Sequence, residues 1–361
     1  MLTRIQFARR SPIAAMAFVM LSAVACGNLA DEPSATSANV ADVPAAGEES
    51  PSIRLALPTE PLWQWLGDSG VLADWEAQHG FRIEASHPFR PFTALISGHA
   101  DIILVDALDV PVFASGLESA PVIIGKYASD RSIAAVKRTN QATDLAGVVE
   151  GRIAIESELG STLLWSLIVD EIHALDFSYG GGDFDFVNAT SGIADAVDRG
   201  DAEACLCLPD AGASSLSTGI LRPLYDGKSA STVYAELIGQ PERPLLGRVF
   251  LTSREWYQAH PAEVSAFLEM WETAVRNWNA NYGAFIVAYP QLLSVQSDEE
   301  IAWLTDYVLH NNWIASTVYP TSDDALNYED AVKKLQAKEL IPPDASPPSV
   351  ITSGPTPEGG S

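Results

Sequence analysis

Residues 151–175, GRIAIESELGSTLLWSLIVDEIHAL, decide how the rest of the chain is read. They predict a buried strand, a short turn and the start of a helix. Ile153 and Ile155 give residues 152–155 a β-branched character, and residues 156–160 are polar and turn-like. Ser161 and Thr162 stand where a helix begins, ahead of Leu163, Leu164, Leu167 and Ile168 at helical spacing. A helix N-terminus leaves backbone N–H groups unpaired, and a hydroxyl beside them either caps them or helps to hold a ligand. In an open α/β sheet, ligands gather at the carboxyl ends of the strands, where this turn lies. The stretch alone reads first as a plain cap, with a ligand site as the alternative.

Working outward, the same alternation recurs on both sides. Residues 53–57 (IRLAL), 81–85 (FRIEA) and 100–105 (ADIILV) predict strands, with helices over 62–78 and 92–97 between them. Residues 121–124 and 132–136 predict two more strands, followed by a polar run, 137–143, that suits a crossover between lobes. Beyond the opening stretch come a strand at 185–187, a short helix at 193–199 and a strand at 202–208 (AEACLCL). Cys205 and Cys207 face one side of that strand. Their spacing fits disulfide geometry poorly, so two core thiols are expected. Residues 248–251 predict a returning strand, and a long helix over 264–281 shows Phe267, Leu268, Trp271, Val275 and Trp278 on one face. Residues 342–361 are rich in Pro, Gly and Ser and predict a disordered tail.

The chain has 361 residues and a formal net charge of −26, with 47% hydrophobic residues, which suits a large core divided into two lobes. So acidic a chain is a poor partner for nucleic acid or for an anionic membrane surface. Three cysteines give no disulfide framework, and six scattered His residues form no HExxH pair, so no metal and no cofactor is expected. At the front, Arg4, Arg9 and Arg10 precede an apolar run, residues 13–24, too short for a comfortable membrane span. The run ends in Ala23-Val24-Ala25-Cys26, followed by Gly27. Small residues before a cysteine resemble the bacterial lipoprotein signal, in which the cysteine is acylated and becomes the new N-terminus. Residues 1–25 are then a signal peptide, and residues 26–52, with no aromatic residue and no apolar period, are an acylated cysteine and a flexible tether.

The order RIAI–ESELGST–LLWSLIVDEIHAL–DFDFVNAT–IADAVDRGDAEACLCLPDA is similar to the second lobe of type II periplasmic substrate-binding proteins of ABC transporters, and within these to the nitrate, sulfonate and taurine group. The shared features are Gly160-Ser161-Thr162 opening a helix, Val187-Asn188 after the next strand, and Ala196-Val197 leading to Gly200-Asp201 before the last. Glu203-Ala204 stands where the family has Asp-Ala, and Cys207-Leu208-Pro209 where it often has a Trp before an acidic–Pro pair. The segment SREWYQAHPAEVSAFLEMW resembles the family's C-terminal section, so the resemblance covers about residues 53–340.

The resemblance implies an α/β fold of two lobes, each a mainly parallel sheet flanked by helices. Lobe 1 would hold residues 53–140 and 245–341, lobe 2 residues 141–244, with hinge crossovers near 136–144 and 240–247. A small organic ligand, zwitterionic, sulfonate- or amine-bearing, would bind between the lobes. Its contacts would come from Thr59, Glu60, Arg90 and Asp106 on one side and Ser161, Thr162, Asn188 and Asp210 on the other. Trp63 is read as helix packing or a wall of the cleft. The partners implied are an ABC permease with its ATPase, and a lipid bilayer through acylated Cys26. The protein would be a monomer on the periplasmic or extracellular face, and not an enzyme. The competing readings are an enzyme on the same fold, of lyase or cofactor-biosynthesis type, and a solute-sensing subunit.

Overall fold

The computed structural model describes residues 51–189 and 192–352. The anticipated signal peptide, Cys26 and the tether up to residue 50 lie outside them; the end of the tether is corrected, because Ser52 already belongs to the first strand. Among the described residues eleven strands form two sheets. In the first lie β1 (Ser52–Ala56), β2 (Arg82–Ser86), β3 (Ile102–Asp106), β4 (Pro121–Ala128), β10 (Arg248–Ser253) and β11 (Ser349–Val350). In the second lie β5 (Ile133–Lys137), β6 (Arg152–Ile155), β7 (Asp185–Asn188), β8 (Ala204–Cys207) and β9 (Leu221–Pro223). The strand orders are β11-β4-β10-β3-β1-β2 and β7-β6-β8-β5-β9.

Each sheet runs one way except for a single strand, and in each that strand carries the chain in from the other lobe. β5 is antiparallel to β8 and β9, and β10 is antiparallel to β3 and β4. The parallel strands have both faces covered, which is why Ile102-Ile103-Leu104-Val105 reads as an unbroken apolar run. Ile102 and Leu104 join a core with Leu62, Phe267 and Trp271, whereas Ile103 and Val105 join one with Phe92, Tyr328 and Val332. Helices Pro61–Asp68 and Pro261–Ala288 therefore cover one face, and helices Pro91–Ile96 and Ser322–Ala337 the other.

The opening stretch folds as read: strand Arg152–Ile155, then helix Ser161–His173. Three expectations are corrected. The first crossover is not at 136–144 but at residues 129–132, because Ile133–Lys137 pairs with β8 and β9 and belongs to the second sheet. Cys205 and Cys207 are joined as a disulfide. Their Cα atoms are 5.4 Å apart, drawn in from the roughly 6.6 Å of two ideal strand residues to within disulfide range. Residues 342–352 are not a free tail: Ser349 and Val350 pair in parallel with Val122 and Ile123, and the Arg254 guanidinium donates to Ser349 Oγ at 2.7 Å. The open edge of β4 supplies the unpaired backbone groups that order this segment.

After β10 the chain also reaches back to the second lobe. Helix Asp298–Asn311 packs on Ala213–Ser217, and helix Ser322–Ala337 packs on Ser161–His173. No helix among the described residues is long and apolar enough to cross a membrane.

Candidate functional site: a cleft between the lobes

A cavity of about 660 Å³ opens at the carboxyl ends of the parallel strands of both sheets. Asp106 reaches it from the end of β3, Glu156 from the end of β6 and Leu208 from beyond β8. Residues 129–132, which carry the chain from one lobe to the other, form part of its wall.

The helix N-terminus at its edge is not capped by Ser161 or Thr162. Gly160 is the N-cap and has no side chain to offer; its φ of 59° and ψ of −122° are open to glycine almost alone. Ser161 Oγ instead donates to Asp130 Oδ1 at 3.1 Å, and Thr162 Oγ1 donates to the Ser157 carbonyl at 2.7 Å. The Gly160 amide donates to Asp109 Oδ1 at 2.6 Å. Asp109 comes from the short 3-10 turn after β3, so a first-lobe carboxylate caps a second-lobe helix. A side chain at Gly160 would also meet Asp106 Oδ2, 3.3 Å from an ideal Cβ.

Two arginines of the wall are held by carboxylates. Arg248, at the start of β10, forms an ion pair with buried Glu60, and its Nε lies 3.5 Å from Asp106 Oδ1. Tyr127 donates its hydroxyl to Glu60 Oε2 at 3.1 Å. Burial and the neighbouring Glu60 push the Tyr127 hydroxyl well above its usual range, so it stays a donor. Burial alone would lower the Arg248 pKa, but Glu60 and then Asp106 outweigh it and keep the guanidinium charged. Arg131 pairs with buried Asp210 at 2.8 Å and lies over the Trp313 ring, 4.2 Å from its centroid. Tyr307 donates to the Arg131 carbonyl at 2.8 Å. Arg131 Nε and Asp210 Oδ1 have no hydrogen-bond partner.

Asp130 Oδ1 accepts from the Ser132 amide at 2.9 Å, the Ser132 hydroxyl at 2.7 Å and Ser161 Oγ. Burial raises the pKa of both Asp109 and Asp130; at Asp109 the nearby Asp106 adds to it. Among the described residues no group of three His, Cys, Asp or Glu side chains is arranged to hold a metal ion.

Of the residues picked from the sequence, Arg90, Asp106, Ser161 and Thr162 line the cavity. Glu60 and Asp210 stand one layer behind, paired with the lining residues Arg248 and Arg131. Thr59 is exposed and Trp63 stacks on Trp271, ring centroids 6.1 Å apart; neither is part of the lining. Asn188 donates to the Tyr179 hydroxyl at 2.9 Å, beside a separate surface groove. Sequence reasoning missed Asp109, Asp130, Arg131 and Arg248. The polar run Ser129-Asp130-Arg131-Ser132 between two buried strands was the available signal.

This is the fold of the periplasmic binding proteins. No protein-family model and no curated protein sequence matches the chain. Among solved structures it is similar to the alkanesulfonate-binding protein SsuA of Xanthomonas axonopodis pv. citri bound to MOPS, with a TM-score of 0.64 and 15% identity over 82% of this chain and 96% of that one. The periplasmic aliphatic sulphonate-binding protein SsuA of Escherichia coli gives 0.63 and 16%, over 81% and 94%. A Candida albicans protein, the CA3427 gene product, described as having the generic periplasmic binding protein fold, gives 0.60 and 14%, over 86% and 99%.

Proposed function

We propose that the chain is an extracytoplasmic solute-binding lipoprotein that captures a small organic molecule between its lobes and delivers it to an ABC permease. The observation that carries this reading is the cavity itself. It lies where two open sheets turn their strand ends toward each other, and both lobes and the crossover contribute polar side chains to it. The sulfonate-binding structures that share the fold support the same reading.

The geometry suggests how binding would be coupled to closure. A ligand shifts an open–closed equilibrium only by touching groups that come together in the closed form. Arg90, Asp106 and Asp109 belong to the first lobe, Glu156 and Ser161 to the second, and Asp130 and Arg131 to the crossover. A ligand touching all three would favour closure by hinge motion at residues 129–132 and 240–247. Glu60 and Asp210 would set the directions of Arg248 and Arg131. In this reading Cys26 carries the lipid that holds the protein to the membrane on the periplasmic side, the closed monomer is what the permease recognises, and the protein releases its ligand unchanged.

A thermal-shift screen of the full chain against a broad metabolite panel tests the reading. A true ligand at a hundred times its dissociation constant adds about 2.7 kcal/mol and raises the melting temperature. A panel without a single stabilising compound, or a compound that is bound and chemically converted, would count against it.

A further inference from the structure

The charges around the cleft do not balance, and the imbalance says which end of a ligand it takes. Arg131 is neutralised by Asp210, and Arg248 by Glu60 and Asp106. Asp109 and Asp130 also face the cavity, and among the described residues no Lys, Arg or His lies within ion-pair distance of either. Glu156 adds a third carboxylate without an ion-pair partner among the described residues to the same wall, while Arg90 stands exposed at the rim. A carboxylate held in a pocket without a counter-ion favours a cation that enters.

The seat an oxyanion would use is largely taken. The N-terminus of helix Ser161–His173 is the natural place for a sulfonate or carboxylate. Here the Gly160 amide is bound by Asp109, the Thr162 amide donates to the Leu159 carbonyl, and the Leu163 amide to the Gly160 carbonyl. Of these first amides that of Ser161 alone has no acceptor among the described residues, so an incoming anion would meet the Asp109 carboxylate beside a single free N–H. Phe92 and Phe113, stacked with centroids 4.6 Å apart, give the cavity an apolar wall.

We propose that the cleft takes a ligand bearing a positively charged nitrogen, gripped by Asp109 and Asp130, with its hydrocarbon part against Phe92 and Phe113. This rests on the solute-binding reading and narrows it to an organic amine or ammonium compound. A second, anionic group on the ligand would face Arg90 at the rim.

The test compares ions that share a carbon skeleton: phenethylammonium with phenylethanesulfonate, and hexylammonium with hexanesulfonate. Binding to the full chain is followed by calorimetry and thermal shift. The ammonium members are expected to bind and stabilise the protein, and the sulfonates to do neither. Asp109→Asn and Asp130→Asn, which keep the acceptor oxygens, should each weaken ammonium binding about tenfold. Their unliganded melting temperatures, expected at or above that of the parent, report folding separately from binding. Stabilisation by the sulfonates alone would overturn the cation assignment and leave solute binding standing. Ammonium binding indifferent to both substitutions would overturn the role of the two aspartates. A flat response to all four ions would count against both this proposal and the function beneath it.

Discussion

Asp109 and Asp130 dominate the chemistry of the cleft because neither has a cation to answer it. Burial lifts both carboxyl groups above the usual aspartate range, with Asp106 beside Asp109 and the Ser132 and Ser161 hydrogen bonds restraining Asp130. A carboxyl whose pKa is higher folded than unfolded binds more protons in the native state between those two values. Stability therefore falls as pH rises through that window, and acidification restores it. We expect the unliganded protein to melt higher at about pH 5 than at neutral pH, with a smaller gain in Asp109→Asn. Thermal denaturation of both proteins across that range checks it; an identical pH profile in the variant would contradict the role given to Asp109. The sequence exposed Asp106, Ser161 and Thr162 because each ends or begins an element. It pointed to Glu60 but hid Arg248, because their pairing joins residues 188 positions apart, which no local pattern records.

At the scale of elements, the two connections between the lobes touch. The Gly247 amide donates to the Ala128 carbonyl at 3.1 Å, and a Cβ on Gly247 would come within 2.4 Å of the Asp130 amide nitrogen. Both contacts are with backbone, so no side-chain rotation relieves them. Gly247→Ala is expected to force the connections apart and cost about 1–3 kcal/mol, read from the denaturant midpoint. An unchanged midpoint would mean that the connections are not packed as described. Strands and helices near the opening stretch were legible because periodicity and caps are local. The first crossover was misplaced because two buried strands joined by four residues read as neighbours in one sheet. Only the long-range pairing of Ile133–Lys137 with β8 and β9 assigns that strand to the second lobe. The edge pairing of Ser349–Val350 was hidden for the same reason: the Pro- and Ser-rich sequence around it carries no strand pattern, and the order comes from β4.

At the scale of the molecule, the described residues form two open sheets, and the first crossover between them is also part of the cavity wall. Asp130 and Arg131 sit in the crossover and line the cavity, so in the proposed closure a ligand that touches them would act where the lobes pivot. The bridge from Asp109 to Gly160 already spans the cleft, and a ligand would add to it or replace it. Helices Asp298–Asn311 and Ser322–Ala337 also pack on the second lobe, the first of them touching the crossover through Tyr307, and would limit how far the lobes part. The central claim is that this cleft exists to hold a small molecule. Its most direct test is native mass spectrometry of the full chain purified from its own cells, with the small-molecule fraction analysed after denaturation. The account predicts one bound organic compound per chain, carrying a basic nitrogen and released on unfolding. A protein mass with nothing added, in a preparation that no amine or sulfonate stabilises, would contradict it.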